Sequence, residues 1–369
     1  MAEDRRELLK KFEVYDKTVD VVSCWEAYLN HVYSDSFPNF HFDRFPTLDG
    51  DLTPDFTAFF DDSYGIIGEI KRTFPNDEKA ILSELGQLEK YDRDLGLKDA
   101  QGEYLVPDDC DTLLIIEGSS APQIGTRLER IIFEDEKVEF ETPPVLLRYQ
   151  YNQDALQSRY EFQRVTQLES EFNDGQLAID ESLSNTIGEE GDYGTISCYP
   201  KYFNSVKVKR PLCNDPPPGP YIATHLWHKI FPGYLTEEQY EQWRATDGSK
   251  ELTLDVTVRE VTDSMNDYMK GGTVRPTWIQ RGLDFLCGAD LAEADDDKEY
   301  SVRYMGLVKD VNISTEQEEE QHRAEYKELA NVLVRRYCEK SETEEEPEIS
   351  EYDGDEDDSG EQSGLGDFT

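Results

Sequence analysis

Two short apolar runs, residues 55–60 and 66–71, separated by the turn-rich Asp61-Asp-Ser-Tyr-Gly65, constrain this chain more than any other stretch. Runs of that length, rich in Phe and Ile and bounded by Asp, Ser and Gly, read as the two strands of a hairpin. If Phe60 pairs with Ile66 across the turn, Thr57 stands opposite Glu69 and Asp55 opposite Lys71. Side chains alternate faces along a strand, so this register puts Asp55, Glu69 and Lys71 on one side of the sheet. Three charges then converge among apolar strands, where burial is costly unless they are paired or bind a metal. A carboxylate on each strand suits Mg2+, or Mn2+ in its place, with water, a backbone carbonyl and a substrate phosphate filling the remaining positions. Lys71 would orient or help deprotonate an attacking water and offset charge developing on the phosphate. The expected chemistry is phosphodiester hydrolysis.

The surrounding pattern is that of a mixed α/β unit. Residues 1–33 read as a helix, with Val21, Val22, Trp25, Leu29 and Val32 recurring on one face. Residues 77–95 read as a second helix, burying Ile81, Leu82, Leu85, Leu88 and Tyr91, with Asp77 placed to cap it. The run Thr112-Leu-Leu-Ile-Ile-Glu117 is apolar enough for a strand buried on both faces. A helix at 122–132 and a hairpin formed by 145–151 and 159–167 complete the unit.

The order Pro54-Asp55, thirteen intervening residues, then Glu69-Ile70-Lys71 resembles the PD-(D/E)xK nuclease superfamily. The helix after the hairpin carries Gln87-Leu-Glu-Lys-Tyr91, which resembles the Gln-x-x-x-Tyr signature of the RecB-like branch, and four-residue spacing puts Gln87 and Tyr91 on one helical face. Glu26, on the first helix, stands where such nucleases often carry an acid. The resemblance covers about residues 15–170 and implies a restriction-endonuclease-like αβββαβ core, a mixed central sheet flanked by helices. It also implies that Asp55, Glu69 and the carbonyl of Ile70 hold the metal. By the same likeness Glu26 acts through water or a second ion, and Gln87 with Tyr91 supports the site or touches the substrate backbone.

The remainder divides by composition. Residues 1–170 form the nuclease-like domain, and 171–220, acidic and then rich in proline, read as a linker region. Residues 221–312 give helix, a glycine turn at Gly271-Gly272, helix and then a strand, the order of a mainly α winged-helix-like module. Residues 313–340 read as a charged helix and 341–369 as a disordered acidic tail, a solvated solubility element or a DNA mimic. On the candidate recognition helix, Arg275 and Arg281 could contact DNA, yet residues 254–310 hold seven bases against twelve acids. A homodimer or a protein partner through this module is therefore an open alternative. The basic cluster Lys201, Lys207, Lys209 and Arg210 suits a nucleic-acid backbone or simply a strand rim. His225 and His228, one turn apart beside Trp227, find no third ligand, which favours aromatic packing over zinc.

Net charge is −44, and −31 remains after removing the tail with its thirteen acids. A grip on phosphates usually needs a basic footprint. Acid enrichment over the whole chain reads as halophilic adaptation, in which a salt-rich cytoplasm screens the repulsion. No apolar run reaches membrane-spanning length, the charged start is unlike a signal peptide, and six scattered cysteines without a Cys-x-x-Cys pair read as reduced thiols. The expectation is a cytoplasmic, Mg2+-dependent deoxyribonuclease with no membrane partner. The alternative is a non-catalytic DNA-binding or assembly protein on a nuclease-like scaffold, with Asp55 shaping a turn and Glu69 and Lys71 on a solvated strand face.

Overall fold

The computed structural model describes residues 4–345, except 51, 63, 72–74, 76, 92–93, 120, 136, 141–143, 154–157, 166–194, 247–250, 270–273, 296–298 and 308–317. It begins with helix α1 (Arg5–Tyr33), capped by the Asp4 carboxylate on the amide of Arg6. Strands β1 (His41–Arg44), β2 (Phe56–Asp61) and β3 (Tyr64–Lys71) form an antiparallel meander. Helix α2 (Glu78–Leu88) follows, and the Asp77 carboxylate accepts the amide of Ala80 at its start. A small hairpin, β4 (Leu97–Lys98) with β5 (Tyr104–Leu105), leads to β6 (Asp109–Glu117), which runs parallel to β3. Next come α3 (Ala121–Glu129), a π turn (Arg130–Glu134), β7 (Val145–Gln153) parallel to β6, and β8 (Ser158–Arg164) antiparallel to β7. The acidic stretch expected to be a linker returns as structure in its described part. β9 (Thr195–Cys198) pairs with β8, and α4 (Pro200–Lys209) puts Lys201, Lys207 and Lys209 on a helix, not a strand rim. The sheet order is β1-β2-β3-β6-β7-β8-β9.

The sheet separates two apolar layers. Val21, Val22, Trp25 and Leu29 of α1 lie against Phe42, Phe56, Ala58, Ile66, Ile70, Leu113 and Ile115 on one face, and Phe203 of α4 joins them. Val32, expected on that stripe, is exposed instead. On the other face Ile81, Leu85, Leu88 and Tyr91 cover Phe59, Ile67, Leu114, Ile116 and Leu146, together with α3. Burial on both faces explains the unbroken apolar run of β6. Gly68 stands opposite Phe56, and a side chain there would drive into that ring. The hairpin register differs from the expected one: Thr57 pairs with Ile67 and Phe56 with Gly68, because Asp61 already pairs with Tyr64 and the turn is tighter. The displacement is two residues, a full pleat period, so every side chain keeps its face.

Beyond the Pro-rich segment lie α5 (Gly219–His225), a π turn (Leu226–Ile230) and a 3-10 turn (Phe231–Tyr234). They are followed by α6 (Glu237–Ala245), β10 (Leu252–Thr257), α7 (Val258–Tyr268), α8 (Pro276–Gly288), β11 (Ala292–Ala294) and β12 (Glu299–Tyr304). α7 opens with a reciprocal capping box between Thr257 and Glu260, which satisfies two otherwise orphaned amides. β10 and β11 flank β12 in an antiparallel sheet. The last helix, α9 (Glu318–Glu345), extends five residues into the stretch expected to be disordered. The rest of that tail, 346–369, the Gly271-Gly272 turn, and Lys270, Lys298 and Lys309 lie outside the described residues. Leu8, Phe12, Tyr15 and Val19 of α1 share a core with α5, α8 and α9, so one helix serves two apolar interiors. The six cysteines are free, and no helix among the described residues is long and apolar enough to cross a membrane.

Candidate active site

The last rungs of the β2–β3 ladder hold the charges named above. The amide of Asp55 donates to the carbonyl of Gly68 at 3.0 Å, and its carboxylate accepts the amide of Ile70 at 2.7 Å. Glu69 and Lys71, two apart on β3, emerge on the α2 side of the sheet, where Lys71 Nζ lies 2.8 Å from Glu69 Oε1. Asp55 is 6% exposed and Glu69 5%, so neither belongs to a solvated strand face.

Helix α2, which ends at Leu88 and not at 95 as expected, closes over them together with the turn that follows it. Tyr91 Oη donates to Glu69 Oε2 at 3.2 Å, while Gln87 Nε2 reaches Glu69 Oε1 at 3.3 Å and Tyr91 Oη at 2.8 Å. The Gln-x-x-x-Tyr pair thus touches the central carboxylate. Glu84, which sequence reasoning did not single out, brings Oε2 to 2.7 Å from Lys71 Nζ. The signal was present in helical spacing, because Glu84 lies three residues before Gln87 on α2.

Burial raises the proton affinity of Asp55 well above the ordinary carboxylate range, and the neighbouring charge of Glu69 raises it further. The Ile70 amide and Lys71 only partly oppose this. Glu69 is raised too, mainly by burial, against the lowering effect of Lys71 and Tyr91. Burial alone would make Lys71 easier to deprotonate, but Glu69 and Glu84 outweigh it and hold the ammonium protonated. Burial and the charge of Glu69 keep Tyr91 a phenol. Two buried carboxylates that resist ionising together form a coupled pair. A hard divalent cation would relieve their repulsion.

Among the described residues no group of three or more His, Cys, Asp or Glu side chains is arranged to hold a metal. The donors in the cluster are the carboxylates of Asp55 and Glu69, to which the resemblance adds the carbonyl of Ile70. That set fits Mg2+, which commonly takes one or two carboxylates and completes its shell with water and phosphate oxygens.

Glu26 is not brought to this cluster. It lies on α1, over the opposite face of the sheet from Glu69, with Oε2 2.5 Å from Arg44 Nε and Oε1 3.3 Å from Arg210 Nη1. Arg44 also donates to Ser23 Oγ and the Arg210 carbonyl. Because Arg44 is nearly inaccessible, Glu26→Gln should cost about 3 kcal/mol by leaving a buried cation uncompensated. Denaturant unfolding checks this, and divalent-ion affinity should be unchanged in the variant.

The Pro-rich segment passes beside Asp55. Asn214 Nδ2 donates to the Thr53 carbonyl at 3.1 Å, and the charge of Asp215 is felt at Asp55. Here a cleft of about 590 Å3 opens, lined among others by Lys98, Arg210, Arg275, Trp278, Thr53 and Asp215. It reaches residues flanking Asp55 but not the two carboxylates. Arg275 occupies the position before α8 without a side-chain cap, and its guanidinium lies 5.5 Å from the Trp278 ring centroid. Arg281 instead donates to the Pro217 carbonyl at 2.9 Å and ties α8 to the Pro-rich segment. His225 and His228 pack against Tyr326, the first tilted and the second edge-on, in line with the aromatic packing expected of them.

Fold and site together describe a mixed α/β protein with buried carboxylates and a lysine at the end of a sheet hairpin. No family model matches the chain, and neither the curated proteins nor the solved structures compared with it give a match.

Proposed function

We propose that the chain is a metal-dependent nuclease that hydrolyses phosphodiester bonds in DNA. The observation that carries the reading is the convergence of Asp55, Glu69 and Lys71 on one sheet face, with Gln87 and Tyr91 fastened to Glu69. The order α1, β1-β2-β3 as an antiparallel meander, α2, then β6 parallel to β3 supports the restriction-endonuclease-like core that the sequence resembles. Likewise, α5, β10, α7, α8, β11 and β12, with β12 central in its sheet, support a winged-helix-like module.

Mg2+ or Mn2+, held by Asp55, Glu69 and the Ile70 carbonyl, would supply positive charge to the phosphate and lower the pKa of a water. Lys71 stays protonated and is therefore a poor base at neutral pH; its part is to donate hydrogen bonds to charge developing on phosphate oxygens. Tyr91 and Gln87 fix the Glu69 carboxylate, and Glu84 holds Lys71 from the far side. Arg275 lines the neighbouring cleft as a partner for the sugar-phosphate chain, beside Lys98 and Arg210, which pair with Asp43 and Glu26. Trp278 there offers an aromatic edge.

The test is incubation of purified full-length protein with single- and double-stranded DNA and Mg2+ or Mn2+ across a range of potassium chloride concentrations. Metal-dependent cleavage is expected, abolished by chelator. Its absence under every condition would favour the scaffold reading, in which the same fold binds DNA or a partner without hydrolysis.

A further inference from the structure

A second cavity, of about 330 Å3, lies away from the carboxylate cluster, among α1, α4, the helix and π turn at 219–230, α7 and α9. In a chain of net charge −44 its lining is unusually basic: Lys207, Lys209, Lys229 and Lys327 face a single acid, Asp16. Lys207 is neutralised by Asp16 and Asp20, each at 2.6 Å. Lys209, Lys229 and Lys327 come within 4 Å of no carboxylate among the described residues; burial makes the Lys229 ammonium easier to deprotonate than usual, and the charge of Glu325 partly opposes this.

A buried imidazole adjoins the cavity. His225 lines it, is 5% exposed, and meets the Tyr326 hydroxyl through Nδ1. Burial keeps Tyr326 a phenol and, with nearby cationic groups at Lys207, His228 and Lys229, keeps His225 neutral. The Tyr326 hydroxyl and Nδ1 share one hydrogen bond, whose donor is set by the tautomer of the ring. Nε2 has no hydrogen-bond partner among the described residues. The remaining walls are mostly apolar and aromatic, with Phe12, Tyr268 and Tyr326 contributing rings.

We infer that this cavity binds a small aromatic monophosphate of the nucleoside monophosphate class, its ring against the aromatic wall and its phosphate among Lys209, Lys229 and Lys327. A bare phosphate would leave the apolar wall unused, and a neutral nucleoside would make no use of the three ammonium groups. The volume lies at the small end of ordinary ligand sites, which suits a mononucleotide. Nothing in the inference depends on the carboxylate cluster or on nuclease activity.

Isothermal titration of the full-length protein with AMP, UMP, adenosine and inorganic phosphate tests it. At least one monophosphate should bind saturably at about one per chain, and adenosine and phosphate at least about tenfold more weakly. Lys229→Ala with Lys327→Ala should weaken the nucleotide about tenfold or more without moving the ligand-free melting temperature. Lys209→Ala, on the exposed rim, gives an independent reading of the same loss. Absence of saturable binding by both nucleotides, equal binding of adenosine or inorganic phosphate, or undiminished binding in the lysine variants would overturn the inference.

Discussion

Lys71→Ala should lower the rate of metal-dependent DNA cleavage by at least about 100-fold, the usual loss when a single group that meets transition-state charge is removed. Lys71 is poised for that role by its position between two acids. Glu69 and Glu84 hold its ammonium at 2.8 and 2.7 Å and raise its pKa, so it carries charge throughout the neutral range. The loss should therefore appear at every pH from about 6 to about 9, without the displaced base limb that removal of a proton acceptor would give. Glu84→Gln is expected to act more mildly, because one acid still holds the ammonium. Single-turnover cleavage of a labelled DNA in Mg2+ and in Mn2+ reads both variants. Cleavage at the wild-type rate by the alanine variant would assign the activity to another site or to a contaminant.

Much of this arrangement was legible because strand chemistry is periodic. The hairpin was read two residues out of register, yet Asp55, Glu69 and Lys71 kept their common face, since a shift of two preserves the pleat. Asp77 as a cap and Ile81, Leu85, Leu88 and Tyr91 as a stripe follow from local rules alone. Glu26 shows where such rules stop. An acid on an amphipathic helix looks the same whether it faces a metal or an arginine, and its partners here are 18 and 184 residues away. Strand β10 was readable in the alternation Leu252, Leu254, Val256 but went unread, whereas β9 owes its place to pairing with β8. The double use of α1 had no local sign, because Phe12 and Trp25 bury in different interiors of one continuous helix.

Asp55→Asn should abolish cleavage while making the metal-free protein more stable above about pH 7, by roughly 1 kcal/mol, the scale of gains from relaxing strained functional sites. The sign follows from the raised pKa values of Asp55 and Glu69. Between the ordinary carboxylate pKa and the raised folded values, the folded state binds more protons than the unfolded one, so stability falls as pH rises through that window. Below it both states are protonated and the penalty vanishes. Asparagine keeps an oxygen to accept the Ile70 amide, which Asp55 now accepts at 2.7 Å, but removes the charge that opposes Glu69. A divalent cation should offset the same repulsion in the wild type, adding about 2.7 kcal/mol at a hundred times its Kd, and much less in the variant. Thermal melts at about pH 5 and about pH 8, with chelator and with Mn2+, separate these contributions. The expected pattern is a variant advantage that is larger at the higher pH and erased by the metal. A variant equally destabilised at both pH values, with an undiminished response to Mn2+, would mean that the paired carboxylates are not where the cation binds.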